Sequence, residues 1–136
     1  MNSILYNDGY KYQLAEDYQV VVEIKPKAFI LTEYVRLDID GMLSICKGYA
    51  WDGPSGPTID TLNFMRGSLV HDALYQLMRG KHIDPSAYRE PADRILQRIC
   101  IEDGMSSLRA WYVYQGVRFG GGPAASDPAE PPIRAP

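Results

Sequence analysis

The sequence predicts an α+β fold, with a small antiparallel β-sheet in the N-terminal half followed by three helices and a proline-rich tail. Valine-rich and alternating segments up to about residue 46 indicate antiparallel strands, whereas apolar residues recur every three or four positions from about residue 64. With 136 residues, of which 46% are hydrophobic, the chain is long enough for one core. We expect a single domain over residues 1–120. Residues 121–136 are predicted to be disordered or to form an extended arm, because they offer little that can pack and hold Pro123, Pro128, Pro131, Pro132 and Pro136.

The predicted strands lie in two valine-rich or alternating segments. Residues 19–24 are rich in valine, and residues 34–39 alternate so that one face carries Val35, Leu37 and Ile39. The Asp40-Gly41 dipeptide then predicts a tight hairpin in which both turn residues have positive φ. The strand after it carries Leu43 and Ile45, and residues 11–14 are predicted to add a short edge strand.

The first predicted helix runs over residues 63–78. Asn63 is the expected N-cap and Gly80 the expected stop. Residues 80–88 are predicted to be a loop. The inward face of the helix is predicted to carry Leu69, Val70, Ala73, Leu74 and Leu77.

Two further helices are predicted in the C-terminal half. The second starts with Pro91 in its first turn and ends at Asp103-Gly104, with an inward face of Ala92, Ile95, Leu96, Ile99 and Cys100. The third is capped by Ser106 or Ser107 and ends in residues 120–122. Its buried stripe is predicted to be Leu108, Trp111, Tyr112 and Val117.

Charge and composition exclude several classes of protein. The net charge of −3 and the pI of about 5.3 argue against broad nucleic-acid binding through a basic face. Cys46 and Cys100 lie in apolar surroundings without the paired spacing of a zinc site, which indicates buried free thiols in a reducing cytoplasm. We expect no signal peptide and no transmembrane segment, since the start is polar and no apolar run approaches the length of a span.

The candidate site lies around a Gly/Pro-rich loop and the helix after it. The loop carries Asp52, and the helix places His71 and Tyr75 on one face with Asp72 beside them. Asp93 on the next helix is expected to lie opposite His71, because helices joined by a short loop are usually antiparallel neighbours. A hydrogen bond to Asp93 fixes the tautomer of His71 and leaves the other ring nitrogen as a general base.

A cation is the second possible occupant of this region. Asp72, together with Asp52 or carbonyls of residues 52–57, offers the oxygen ligands that calcium prefers, and zinc is the other candidate.

A structural interpretation of the same residues stays open. An Asp72 carboxylate can pair with Arg66 or Arg79, and the Tyr75 hydroxyl can anchor its helix to the sheet. Asp93 can simply complement the dipole of a helix N-terminus. The apolar neighbours of His71 favour a buried ring over one that faces a pocket lined by Trp51, Asp52 and Tyr75.

Residues 47–79 carry a more specific resemblance. The segments Lys-Gly-Tyr-Ala-Trp-Asp-Gly-Pro-Ser-Gly-Pro and Ser-Leu-Val-His-Asp-Ala-Leu-Tyr resemble the domain-of-unknown-function 1353 family of tailed phages and prophages. The matching positions are Gly48, Tyr49, Asp52, Ser55, Pro57, His71, Asp72, Tyr75, Ala92, Asp93, Val117, Arg118, Phe119 and Gly120. The resemblance implies a phage-encoded origin. We expect such a chain to be made in the host cytoplasm, from which it can join the virion. The resemblance implies no activity.

The order of these motifs is also similar, more weakly, to secreted phospholipase A2. That resemblance implies His71 as the base that activates water, Asp93 as its orienting acid, and Asp72 with the 52–57 loop as calcium ligands. The disulfide-forming cysteines of that family are absent, since Val70 and Leu74 occupy their positions.

Two functions follow from the sequence. The first is a virion-associated tail, baseplate or accessory protein whose His-Asp-Asp cluster is structural or vestigial and whose tail contacts other phage proteins. The alternative is a small cation-assisted hydrolase that acts on the host envelope, with His71, Asp93 and Tyr75 in catalysis and Asp72 and Asp52 as metal ligands.

Overall fold

The computed structural model of the protein describes residues 3–7, 12–52 and 62–120. Two small antiparallel sheets precede three helices, so the predicted α+β fold is confirmed. The predicted tail over residues 121–136 lies outside the described residues. The elements in chain order are β1 (Tyr6–Asn7), β2 (Tyr12–Leu14), β3 (Tyr18–Val21), β4 (Ile30–Leu31), β5 (Val35–Leu37), β6 (Met42–Ile45), β7 (Ala50–Trp51), α1 (Leu62–Arg79), α2 (Pro85–Glu102) and α3 (Ser107–Gly120).

The strands divide into two sheets with orders β1-β2-β7 and β3-β6-β5-β4. The first sheet pairs Tyr12 with Trp51 and Tyr6 with Leu14. Strand β2 is therefore the central strand of its sheet, and the prediction of an edge strand at residues 11–14 is wrong. The Leu14 side chain of this strand is buried in the core.

The predicted hairpin joins β5 to β6, with Leu37 opposite Leu43. Its turn differs from the prediction because positive φ is confined to Gly41, at +89°. The Asp38 carboxylate accepts hydrogen bonds from the main-chain N–H groups of Asp40 and Met42 and thereby closes the turn. The strand ends at Leu37, so Ile39 is 54% exposed instead of buried.

Helix α1 begins at Leu62, which places Asn63 inside the first turn and makes its prediction as N-cap wrong. The C-terminus closes through Lys81, which has a φ of 62°. The N–H of Lys81 donates to the Met78 carbonyl and the N–H of His82 to the Leu77 carbonyl. These bonds satisfy carbonyls that a helix end leaves free, so Lys81 makes the stop that the sequence assigned to Gly80.

Helix α2 begins six residues before the predicted start at Pro91. Asp84 is the N-cap, and its side chain accepts a hydrogen bond from the N–H of Ser86, while Pro85 occupies the first turn. Proline is favoured there because its missing N–H is not needed. Pro91 lies inside the helix, so the loop is only residues 80–84. The predicted end is confirmed, since Gly104 follows with a φ of +102°.

Helix α3 is capped by Ser106, whose hydroxyl accepts a hydrogen bond from the Arg109 N–H. It packs against α2 through buried Ala110 and partly buried Val113 and Val117. The prediction of a buried stripe fails at three of its four positions, because Leu108, Trp111 and Tyr112 are exposed. Among the described elements, α2 packs against one face of α3, and Leu108, Trp111 and Tyr112 lie on the other face.

Helix α1 holds the fold together, since the sheets contact it on one side and α2 on the other. Trp51 in β7 donates to the Ser68 hydroxyl, and the buried Arg66 donates to the Tyr18 hydroxyl and to Asp103. The described part of the chain contains no helix long and apolar enough to cross a membrane.

Both cysteines are free, as predicted. Cys46 is half-buried, whereas Cys100 is fully buried and burial raises the pKa of its thiol to about 12. The Cys100 thiol therefore stays protonated near neutral pH.

Candidate functional site

Helices α1 and α2 bring His71, Tyr75 and Asp93 together. The Nε2 atom of His71 lies 2.6 Å from Oδ1 of Asp93, and the Tyr75 hydroxyl donates to the same oxygen at 2.6 Å. The predicted contact between His71 and Asp93 is therefore confirmed. The rings of His71 and Tyr75 also lie against each other, with centroids 4.1 Å apart.

The short loop between the two helices explains this meeting. His71 lies eight residues before the last residue of α1 (79 − 71), and Asp93 lies eight residues after the first residue of α2 (93 − 85). Two antiparallel helices joined by a tight turn place such positions at the same level. Tyr75 is one turn further along the same face of α1 as His71.

Asp93 is the centre of the cluster. Its side chain is 0% exposed, and its second oxygen accepts a hydrogen bond from Arg118 at 3.0 Å. Burial disfavours ionisation, but the hydrogen bonds from His71, Tyr75 and Arg118 outweigh burial and lower the pKa of Asp93 from its ordinary value. The carboxylate is therefore ionised at neutral pH and matched by donors from α1 and α3.

The position of Asp93 in α2 overturns one of the structural interpretations. Because α2 starts at Pro85, Asp93 lies in the middle of the helix, beyond the first turn where an acid complements the dipole. Tyr75 likewise bonds Asp93 on α2 instead of anchoring α1 to the sheet.

The His71 ring has one nitrogen committed and retains access to solvent. Its side chain is 13% exposed, so the expectation of a fully buried ring is wrong. When Nε2–H of the neutral ring donates to Asp93, Nδ1 carries the lone pair. Trp51 does not line an open pocket beside it, because its side chain is 1% exposed and bonds Ser68.

Asp72 faces the sheets and forms a second polar group. Its Oδ2 atom accepts a hydrogen bond from the Tyr49 hydroxyl, which also lies 2.8 Å from the Gln76 amide oxygen. Burial raises the pKa of Asp72, and the charge of Asp52 acts in the same direction, against the hydrogen bond from Tyr49. The positive charge of Arg79 favours the ionised form, whereas Arg66 pairs with Glu102 and Asp103 instead.

Of the predicted cation site, the structure describes only the carboxylates of Asp52 and Asp72. Within residues 3–7, 12–52 and 62–120 no group of three or more His, Cys, Asp or Glu side chains is arranged to hold a metal ion. Most of the 52–57 loop, whose carbonyls were to complete a calcium or zinc site, lies outside the described residues. The described side chains, Asp52 and Asp72, are too few to define such a site.

Arg118 and Tyr49 were not predicted from sequence as site residues, and neither was Gln76, which bonds Tyr49. Arg118 reaches Asp93 from the last turn of α3, which Arg89 holds against α2 by donating to the main-chain carbonyls of Val117 and Arg118. Tyr49 reaches Asp72 from just before β7. Tyr49 and Arg118 both lie at positions that match the domain-of-unknown-function 1353 family, and this resemblance was the sequence signal for them.

The fold and the two polar clusters define an α+β protein with a His-Asp pair in which the aspartate is buried and the histidine is partly exposed. Comparison of the chain with protein-family models, curated proteins and solved structures gives no match. The similarity to the domain-of-unknown-function 1353 family and to phospholipase A2 therefore stays a prediction.

The raised pKa of Asp72 gives a prediction about stability. A carboxyl whose pKa is raised on folding stabilises the fold below its unfolded pKa, and this contribution is lost as the pH rises through the folded value. We expect Asp72→Asn to raise the midpoint of thermal unfolding at pH 7 and to lose this advantage at pH 3. Thermal melts at both pH values measure the difference in midpoint between Asp72→Asn and the wild type. The control is Asp40→Asn, at an exposed residue of the β5–β6 turn. An Asp72→Asn variant that melts lower than the wild type at pH 7 would contradict this account.

Proposed function

We propose that the protein is a small hydrolase in which His71 acts as general base toward water. The observation that supports this most is the buried, ionised Asp93 bonded to Nε2 of a His71 ring that is still 13% exposed. A histidine held by a carboxylate on one nitrogen presents the other to a reactant in one tautomer. We assign Tyr75 a positioning role in place of the predicted catalytic one, because its hydroxyl donates its hydrogen bond to Asp93.

The reaction follows from this arrangement. Nδ1 of His71 takes a proton from a water molecule, and the water oxygen forms a bond to the carbonyl carbon of an ester. The ester C–O bond then breaks, and the proton on Nδ1 passes to the leaving oxygen, which gives an acid and an alcohol. Asp93 stabilises the imidazolium while it exists, and Tyr75 and Arg118 hold the carboxylate in place.

The substrate class comes from the two resemblances. A phage-encoded protein meets the host envelope, and the phospholipase-like order of motifs points to acyl esters of its phospholipids. This choice rests on analogy, so the experiment below tests the lipid and the general base separately.

The test is release of fatty acid from vesicles of phosphatidylethanolamine and phosphatidylglycerol, with and without added calcium. We expect His71→Asn to lower the rate by about 10²–10⁴-fold, because general-base catalysis contributes that much. The asparagine amide is too short to reach Asp93 from the position of Nε2, but Tyr75 and Arg118 still bond that carboxylate, so far-UV circular dichroism should not change. The control is the exposed loop histidine (His82→Asn), which should keep the wild-type rate.

The outcomes separate the parts of the proposal. Equal rates for His71→Asn and the wild type would overturn the role of His71. A wild-type chain that releases no fatty acid under any of these conditions would overturn the phospholipid as substrate. A calcium dependence that disappears in Asp72→Asn would support the predicted cation ligands Asp72 and Asp52.

A second candidate is the virion-associated protein with a structural cluster. It is favoured by the way Asp93 joins α1, α2 and α3 through His71, Tyr75 and Arg118. Such a network locks helices together without any reaction. This function predicts that the chain is found in purified phage particles. It also predicts that His71→Asn lowers the stability of the protein and its incorporation into particles, without a catalytic defect.

A further inference from the structure

Helix α3 has an exposed, largely apolar face that packs against none of the elements in the described part of the chain. We name it the α3 outer stripe. At 100° per residue its members fall within an arc of about 100°. Phe119 is 97% exposed and Trp111 48% exposed. The stripe consists of Leu108, Trp111, Tyr112, Gln115 and Phe119.

The stripe has the chemistry of a surface that binds proline. The rings of Trp111 and Tyr112 lie edge to face, with centroids 5.3 Å apart and planes at 71°. Exposed tryptophan and tyrosine rings side by side are the usual docking surface for extended proline-rich segments. Such segments lose little conformational entropy on binding, because the polyproline II helix is already formed.

The chain supplies such a segment directly after α3. The helix ends at Gly120, and Gly121 and Gly122 follow before Pro123. Glycines allow the chain to reverse direction there. From Gly120 back to Leu108 the helix rises about 18 Å, at 1.5 Å per residue. Residues 123–132 span about 28 Å as polyproline II, which is enough to cover the whole stripe.

We propose that residues 123–132 dock on the α3 outer stripe of the same molecule, with prolines against Trp111 and Tyr112. Tethering favours this occupant, because a short linker gives the segment an effective concentration in the millimolar range. An anionic membrane is disfavoured by the net charge of −3. A second copy is disfavoured because one face of a 14-residue helix offers less than the roughly 800 Å² per partner of a standard interface.

The experiment is acrylamide quenching of tryptophan fluorescence in the full chain. Trp51 is 1% exposed and gives a quencher-resistant background, which the variant Trp111→Phe measures alone. We expect Trp111 to be protected in the wild type. Replacing Pro128, Pro131 and Pro132 together by Ser should raise the Stern–Volmer constant of Trp111 about threefold, with no change in circular dichroism.

Three results would overturn the proposal. The first is an equal quenching constant in the wild type and the triple proline variant. The second is protection that fades on dilution together with a dimeric mass by sedimentation, which would assign the stripe to a second copy. The third is protection that arises only when anionic vesicles are added, which would assign it to a membrane.

Discussion

We expect Gly41→Ala to lower the free energy of unfolding by about 3 kcal/mol or more. Gly41 has a φ of +89°, where a side chain is strained. An added Cβ would also lie 2.3 Å from the main-chain oxygen of Val22. The main chains of Gly41 and Val22 cannot move apart without loss of stability, because the Val22 N–H donates to the Gly41 carbonyl at 2.8 Å and the Val22 side chain is buried.

Urea unfolding followed by circular dichroism measures this loss. The matched control is Gly116→Ala in α3, where the new Cβ meets nothing within 4 Å. That change should stabilise the protein by about 0.5–1 kcal/mol, because alanine has the higher helix propensity. Similar midpoints for the two variants would mean that the turn does not need glycine.

The hairpin shows how far local sequence determines a strand pair. Alternation and the Asp-Gly dipeptide were enough to place β5, β6 and the turn between them. The turn type was wrong, because the Asp38 side chain closes a longer loop in which positive φ falls on Gly41. A side chain that accepts main-chain hydrogen bonds is hard to foresee from a two-residue signal.

The second helix shows how two proline signals compete. Pro85 and Pro91 both fit a first turn, and the predicted helix started at Pro91. The helix starts at Pro85 because Asp84 is its N-cap and accepts a hydrogen bond from the Ser86 N–H. The packing of α2 against α1 then holds Pro91 inside a helix, at the loss of one main-chain hydrogen bond.

The third helix shows a limit of periodicity itself. The spacing of Leu108, Trp111 and Tyr112 is helical whether that face meets the core or solvent. Here the small residue Ala110 and the valines one turn on meet α2, and the large aromatic side chains point away. Sequence alone does not show which of two apolar faces has a neighbour.

The candidate site was likewise predicted in part. The pairing of His71 with Asp93 was predicted from two consecutive antiparallel helices, but the two residues lie at the same level only because α2 starts at Pro85 and not at Pro91. Arg118 could not be paired with Asp93, since its reach depends on how α3 crosses α2. The exposure of His71 depends on long-range packing too, and the prediction of full burial failed there.

We expect Asp93→Ala to lower the free energy of unfolding by about 3 kcal/mol at pH 7. The change removes the acceptor shared by His71 and Tyr75 and leaves the Arg118 charge without its buried partner. The proposed hydrolysis should fall as well, because His71 loses the hydrogen bond that fixes its tautomer. The control is Glu90→Ala on the same helix, whose partly exposed carboxylate bonds Tyr114 and Arg94. That change should cost less than about 1 kcal/mol.

The pH dependence of this loss identifies its cause. The pKa of Asp93 is lowered on folding from its ordinary 3.8, so its contribution to stability is present above that value and is lost as the pH falls through the folded value. The difference between wild type and Asp93→Ala should therefore be full at pH 6–7 and shrink below about pH 4. A cavity left by the missing carboxyl would instead cost the same at every pH. A difference in unfolding free energy that stays constant from pH 7 to pH 3 would show that packing, and not the charge shared with His71 and Arg118, makes Asp93 important.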